Sequence, residues 1–364
     1  MAYTTIDDPS AYFQIALYNG NGNDDKSIPF SSPNYTDQYV GQAIQPDLFL
    51  VKRRNSGTDH WEIMDTIRGI GSTTYSLGFS TGTDGTETTL IKSIQSDGMT
   101  LGTNPQVNRA DTPYIAFMWK AGTTSSASES GSNIGYSRSI NTTSKFMISA
   151  YTGTGSAGDT LAHGLGSTPK FWACKNRNAG GWSWYVYHCA NTSAPETENL
   201  YWNSSDGTLD DNTRWDDTAP NSTEMTFGTN GGINADANNY INYTWGDVKG
   251  FSKFDSYEGT GNANGPVIWL GFRPSLLMIK RTDSAKDWYV YDNQRDTFNP
   301  HDTVLVTNSN DGEQTTDNYV DFLSSGFKIR GTSSVTNSDG GTYVYCAWAE
   351  HPFVTSGGVP CPAR

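Results

Sequence analysis

Apolar residues in this chain come in short runs of five to eight positions rich in aromatic and β-branched side chains. "KFWACK" (170–175), "WSWYVYH" (182–188), "LLMIK" (276–280), "DWYVYD" (287–292) and "TYVYCAWA" (342–349) are examples. Turn formers separate them, as in "RNAGG" (177–181), "NSNDG" (308–312) and "NSDGG" (337–341). Short runs punctuated this way predict strands of an antiparallel sandwich or jelly roll. Within 342–349, strand alternation puts Tyr343, Tyr345 and Ala347 on one face and Val344, Cys346 and Trp348 on the other. No segment reads as a helix of more than a turn or two. "DTIRG" (65–69) and "DNQRD" (292–296) are the places for such a turn.

The pattern repeats three times. Y-x-G-x-G occurs at Tyr18-Gly20-Gly22, Tyr151-Gly153-Gly155 and Tyr257-Gly259-Gly261. A proline with a lysine six residues on follows each copy: Pro46 and Lys52, Pro169 and Lys175, Pro274 and Lys280. Then come Trp61, Trp184 and Trp288, and four residues later Asp65, His188 and Asp292. Arg68, Asn191 and Arg295 follow those, and each copy ends on an aromatic strand carrying Trp119, Trp245 or Trp348. From the lysine to that last tryptophan the copies span 67, 70 and 68 residues. A period of this length marks tandem structural units. The expected fold is all-β: three tandem antiparallel β-sandwich or jelly-roll-like modules of about 105 residues, at 15–122, 147–250 and 251–355. Residues 1–14 precede the first module and 356–364 follow the last. Residues 123–146, rich in Ser, Gly and Thr, read as a linker. None separates modules two and three, so those two are expected to pack rigidly.

The repeat sorts the candidate residues. A tryptophan recurring at one position in three diverged modules is a core anchor, which assigns Trp61, Trp184, Trp288, Trp119, Trp245 and Trp348 to the repeat core. The recurring lysines and arginines sit at turn positions and are expected to be solvated or packed by their stems. Asp65 with Arg68, and Asp292 with Arg295, are placed to pair locally. Trp182, Trp202 and Trp215 do not fit the repeat; the last two flank a carboxylate-rich stretch and neighbour Asp216 and Asp217. Exposed aromatics beside carboxylates suit sugar rings, by apolar stacking plus hydrogen bonds to hydroxyls. They suit a subunit interface equally, and both readings stand.

Composition and charge narrow the function classes. The chain has 364 residues, with 11 Trp and 20 Tyr, which argues against disorder. Its net charge of −14, without a basic cluster, argues against nucleic-acid binding. No run of 18 apolar residues is present to span a membrane, and the opening "MAYTTIDDPSAYFQ" lacks the features of a secretory signal. Cys174, Cys189, Cys346 and Cys361 form no C-x-x-C pair and are expected as reduced thiols, although Cys174 and Cys189 flank a hairpin and are candidate neighbours. His60, His163, His188, His301 and His351 form no zinc-hydrolase motif. No cofactor or metal is expected, with calcium in an Asp/Asn-rich turn left open. A literal G-x-G-x-x-G at Gly153, Gly155 and Gly158 is not a nucleotide fingerprint. Its third glycine is Asp25 or Asn264 in the other copies, and strands rather than a helix follow. The glycines are expected where a Cβ would clash.

The string Y-T-G-T-G…H-G-L-G…P…K-N-R…W-Y-V-Y, closing on "SGFKIRG" and "GGTYVYCAWAEHPF", resembles repeat modules of virion proteins of marine tailed bacteriophages. The resemblance covers nearly the whole chain. It implies a non-enzymatic structural protein displayed on the particle, assembled in the host cytoplasm, with tail or capsid subunits as partners. Residues 1–14 are then an attachment segment ordered on docking, with Tyr3, Ile6, Tyr12 and Phe13 as its contacts. The first placement is a tail-fibre or adhesion component contacting host surface glycans. The alternative is a capsid decoration protein, and a third reading is a polysaccharide depolymerase. Three modules in one chain also mimic a trimer and suit a site of threefold symmetry; a homo-oligomer is a further possibility.

Overall fold

Four antiparallel strands form the same unit in every repeat of the computed structural model, which describes residues 3–31, 38–39, 43–55 and 57–361. In module one the order across the sheet is Phe13–Gly20, Thr112–Trp119, Leu48–Arg53, Glu62–Asp65. Module two repeats it with Phe146–Thr152, Asn239–Trp245, Phe171–Asn176 and Tyr185–His188. Module three uses Ser252–Glu258, Thr342–Pro352, Phe272–Arg281 and Tyr289–Asp292. The opening strand therefore pairs with the closing strand, and the strand carrying the repeated lysine pairs on its other side. The fold is all-β, as its alternation of short apolar runs and turns predicts.

The glycine motif has a steric cause. A Cβ on Gly20, Gly153 or Gly259 would stand 2.2, 2.3 or 2.2 Å from the carbonyl oxygens of Arg109, Ala235 and Ser338. The second glycines, Gly22, Gly155 and Gly261, have φ of +72°, +73° and +62°, which L side chains avoid. What presses against the motif is a loop organised by one buried asparagine per module: Asn108, Asn234 and Asn337. Each side-chain carbonyl accepts the main-chain N–H of Asn21, Thr154 or Thr260, and each amide donates to Gly102, Gly228 or Gly331. The motif tyrosine stacks on the first tyrosine of the closing strand, at 5.2, 5.0 and 4.9 Å between ring centroids.

The two inner strands of each four-stranded sheet are buried on both faces and lack the alternation of a half-exposed sheet, which persists only at an edge such as Ser252–Glu258. Leu48–Arg53 and Phe171–Asn176 are buried almost throughout. In module one, Ala16, Tyr18, Phe49, Val51, Ala116 and Met118 face the module's own second layer. There Lys26–Ile28 pairs with Gly98–Leu101, which pairs with Ile91–Gln95. The alternate positions, among them Leu48, Leu50, Ile115, Phe117 and Trp119, enter a core shared by all three modules. Module two divides the same way: Met147, Trp172, Cys174 and Tyr187 turn to its own sandwich, while Phe146, Phe171, Ala173 and Trp245 join the shared core.

Two expectations on domain organisation are corrected. Residues 123–146 are not an irregular linker: Thr123–Ala127 and Tyr136–Asn141 form a hairpin that extends the sheet of module two beyond Phe146–Thr152. Main-chain hydrogen bonds hold it, and these do not depend on the Ser/Thr/Gly side chains that make it resemble a linker. Residues 3–14 are not a free attachment segment. Ile6 and Phe13 lie in the shared core, and Phe13 opens the first strand opposite Trp119. Tyr12 meets Phe251 edge-on at 5.9 Å, and Thr4 Oγ1 donates to the Lys249 carbonyl at 2.7 Å. Apolar burial inside the body is what orders the segment.

A core drawn from all three modules is expected to melt once. Calorimetry should show a single unfolding transition, and Trp245→Ala, costing about 3–5 kcal/mol, should lower the whole of it. Three resolved transitions, or a Trp245→Ala effect confined to one of them, would contradict the shared core.

Candidate functional site

The geometry that the repeat builds lies between the modules. Trp61 Nε1 donates to Val306 O of module three at 3.0 Å, Trp184 Nε1 to Gly78 O of module one at 2.9 Å, and Trp288 Nε1 to Tyr201 O of module two at 2.8 Å. The lysines repeat the same circuit. Lys52 donates to Asn310 O at 2.7 Å, Lys175 to Ser80 O at 3.1 Å and Lys280 to Ser205 O at 2.9 Å, each across to the same neighbouring module. Each ammonium also donates within its own module, to Asp59 O, Trp182 O and Lys286 O. The three modules thus form a closed ring with pseudo-threefold symmetry. At its centre Trp119, Trp245 and Trp348 meet edge to face, with ring centroids 5.3–5.9 Å apart.

The lysines were expected at solvated turns; all three are fully buried. Two carbonyls per ammonium make this possible, but burial still pulls each lysine down to a pKa of about 8. The Asp/His/Asp position faces the ring's other direction. The Asp65–Arg68 pair is buried at 2.5 Å, and Asp65 Oδ2 accepts the Tyr243 hydroxyl of module two at 2.8 Å. His188 Nε2 lies 3.0 Å from Tyr345 O of module three, and burial lowers the imidazole to about 4, so it is neutral at pH 7. Asp292–Arg295 is a second buried pair at 2.5 Å.

The six repeat tryptophans are all buried. Trp202 and Trp215 are buried as well, at 1% and 0% exposure, and neither offers a platform to a ligand. Trp202 is wedged in the shared core against Phe79, at 4.7 Å, and Phe171, at 5.5 Å. Trp215 sits in module two's own sandwich, with its N–H on Glu198 O at 2.9 Å. The carboxylate-rich flanks suggested exposure because the apolar neighbours of both rings are distant in sequence. Trp182 is half-buried beside Tyr185, and Asp216 and Asp217 occupy a left-handed turn with φ of 53° and 45°. The structure does not bring these five together as one exposed site. Among the attachment candidates Ile6 and Phe13 are buried, while Tyr3 and Tyr12 stay partly exposed, Tyr3 with its hydroxyl on Gly271 O.

Open grooves run where the opening strand of one module meets the body beside it. One, about 630 Å³, lies in module two between Ala150–Thr152, Arg177 and the 123–141 hairpin. Residues 17–19 of module one and 294–297 of module three line a second, and residues 190–192 and 256–258 line a third. Among the described residues no group of three or more His, Cys, Asp or Glu side chains is placed to hold a metal ion. Burial raises the Glu62 carboxyl to about 7, beside Ser76 in a small cleft that His60 and Glu87 also line. The sequence reading missed Asn108, Asn234 and Asn337, although each stands six residues before the closing-strand tyrosine. It also missed Trp269, an exposed tryptophan at 55%.

The lysine ring makes a pH prediction with a definite sign. The folded-state pKa of each lysine lies below its unfolded value, so folding releases protons between about pH 8 and the ordinary lysine range. These lysines therefore add stability as pH rises through 8. Urea midpoints measured from pH 7 to 9.5 are expected to rise for the native chain relative to the Lys52→Met/Lys175→Met/Lys280→Met variant. Parallel curves would show that the ammonium groups feel no burial.

No curated protein matches this chain. Residues 8–352, spanning all three modules, match DUF7483, a domain of unknown function, and the chain belongs to that family.

Proposed function

We propose that the protein is a non-enzymatic structural component of a bacteriophage particle, in which one chain fills a site of threefold symmetry that would otherwise take three subunits. The resemblance of its repeats to phage virion modules supports the particle setting. The observation that carries the threefold role is the closed circuit of Trp61, Trp184 and Trp288 with Lys52, Lys175 and Lys280, each reaching the same neighbour in turn. Cyclic subunits associate through such head-to-tail contacts, and a ring that closes leaves no contact of that kind unsatisfied. Such a ring suits a threefold position on a head or a tail.

The reading predicts a monomer of 39.8 kDa in sedimentation equilibrium. It also predicts immunogold label on purified particles at positions of threefold symmetry. A trimer of full-length chains in solution, or purified particles lacking the protein, would overturn it.

A further inference from the structure

The pseudo-symmetry supplies its own control for the exposed tryptophan. The second-layer strand after the glycine motif occurs in every module, as Lys26–Ile28, Asp159–Ala162 and Val267–Trp269. Ile28 pairs with Met99, Leu161 with Met225 and Ile268 with Phe327, so these three inward positions are equivalent. The residues flanking them are Ser27 and Pro29 in module one, and Thr160 and Ala162 in module two. In module three they are Val267 and Trp269, exposed by 61% and 55%. Folding of the repeat does not require large apolar groups there, because two modules manage without them. Nine of the eleven tryptophans are buried and Trp182 is half-buried, which leaves Trp269 as the outlier.

Its surroundings form a corner. Phe353 meets the indole edge-on, with centroids 5.1 Å apart and planes at 67°. Phe353 N–H and the Tyr3 hydroxyl both donate to Gly271 O, at 3.0 and 2.8 Å, which fixes the corner to the body. Val359, 63% exposed, lies on the return of the 354–360 hairpin, held by Thr355 N–H to Val359 O. Polar groups border the rings. Lys253 Nζ donates to Trp269 O at 2.9 Å and stands 3.4 Å from the Asp255 carboxylate, and the Lys249 ammonium lies 4.3 Å from the Tyr3 ring centre.

Size and charge select the occupant. An aromatic side chain carries about 150–250 Å² of surface, so Trp269 shows on the order of 100 Å² and each valine somewhat less. That total is well short of the ~800 Å² per partner of an ordinary protein interface. A hydrophobic face the size of one ring, rimmed by hydrogen-bonding groups, matches the C–H face and hydroxyls of a pyranose. A net charge of −14 disfavours a polyanion. We propose that Trp269 and Phe353 form a binding site for a neutral polysaccharide, with a sugar ring stacked on the Trp269 indole and its hydroxyls met by Lys253 and Asp255. This site stands independently of the particle reading, and its failure would leave the threefold ring untouched.

Affinity electrophoresis of the full chain in gels containing hydroxyethylcellulose, laminarin, galactomannan, xylan or dextran tests it. At least one polysaccharide is expected to slow the native protein. Trp269→Ala should weaken that retardation at least tenfold with an unchanged thermal midpoint, while Trp182→Ala keeps it. The proposal fails if no polysaccharide slows the native chain, or if Trp269→Ala is slowed equally. It fails too if the native chain self-associates in sedimentation and Trp269→Ala does not, since the corner would then be a protein contact.

Discussion

Three tryptophans meeting at the centre of the ring set the conditions for everything around them. Trp119, Trp245 and Trp348 each lie on a closing strand, and their contacts with one another are edge to face. Among the described residues none of their indole N–H groups finds an acceptor. Leaving such a donor buried costs about 1–3 kcal/mol, so apolar burial has to exceed that three times over. It does so by recruiting both faces of every sheet. The outer face closes on the module's own second layer, and the inner face closes on the other two modules. A module by itself would expose the inner face; in the ring a strand such as Phe171–Asn176 is buried along its whole length.

The edges of that core need polar closure, and the repeat provides it at fixed positions. Trp61, Trp184 and Trp288 hand one hydrogen bond to the next module, and the buried lysines hand over another. A lysine is an unusual choice for a buried seam. Its three donors suit a place where carbonyls from two modules converge, and its four-carbon stem crosses the apolar layer to reach them. The Asp/Arg position shows how the ring tolerates substitution. Arg68 and Asp65 satisfy each other and the Tyr243 hydroxyl, whereas His188 meets a main-chain carbonyl as a neutral ring. Both solutions bury no net charge.

Local pattern carried the all-β class, the three modules and the six repeat tryptophans, because each depends on spacing along the chain. What it could not carry was anything decided between modules. The repeated lysines read as turn residues because the carbonyls they reach in the next module lie 75 to 258 residues away. Trp202 and Trp215 read as exposed because polar sequence surrounds them, while Phe79 and Trp172 cover them in space. The 123–141 hairpin read as a linker because its outer strand is exposed along its whole length and owes nothing to side-chain burial. Ile6 read as a mobile contact because the core it enters is built by residues from all three modules.

Joining three modules in one chain also changes what the surface can do. In a homotrimer any residue placed on the outside appears three times, and a large apolar side chain there becomes three exposed apolar patches, each an aggregation liability. Here the inward residues Ile28, Leu161 and Ile268 stay alike while their flanks diverge. Module two has gained a hairpin beside its opening strand, and module three has gained Val267 and Trp269. The inside remains under a threefold constraint because every module must fit the same central tryptophans. The outside is released from it, and the places where the three copies differ most in exposed chemistry are where function separate from the ring should be sought.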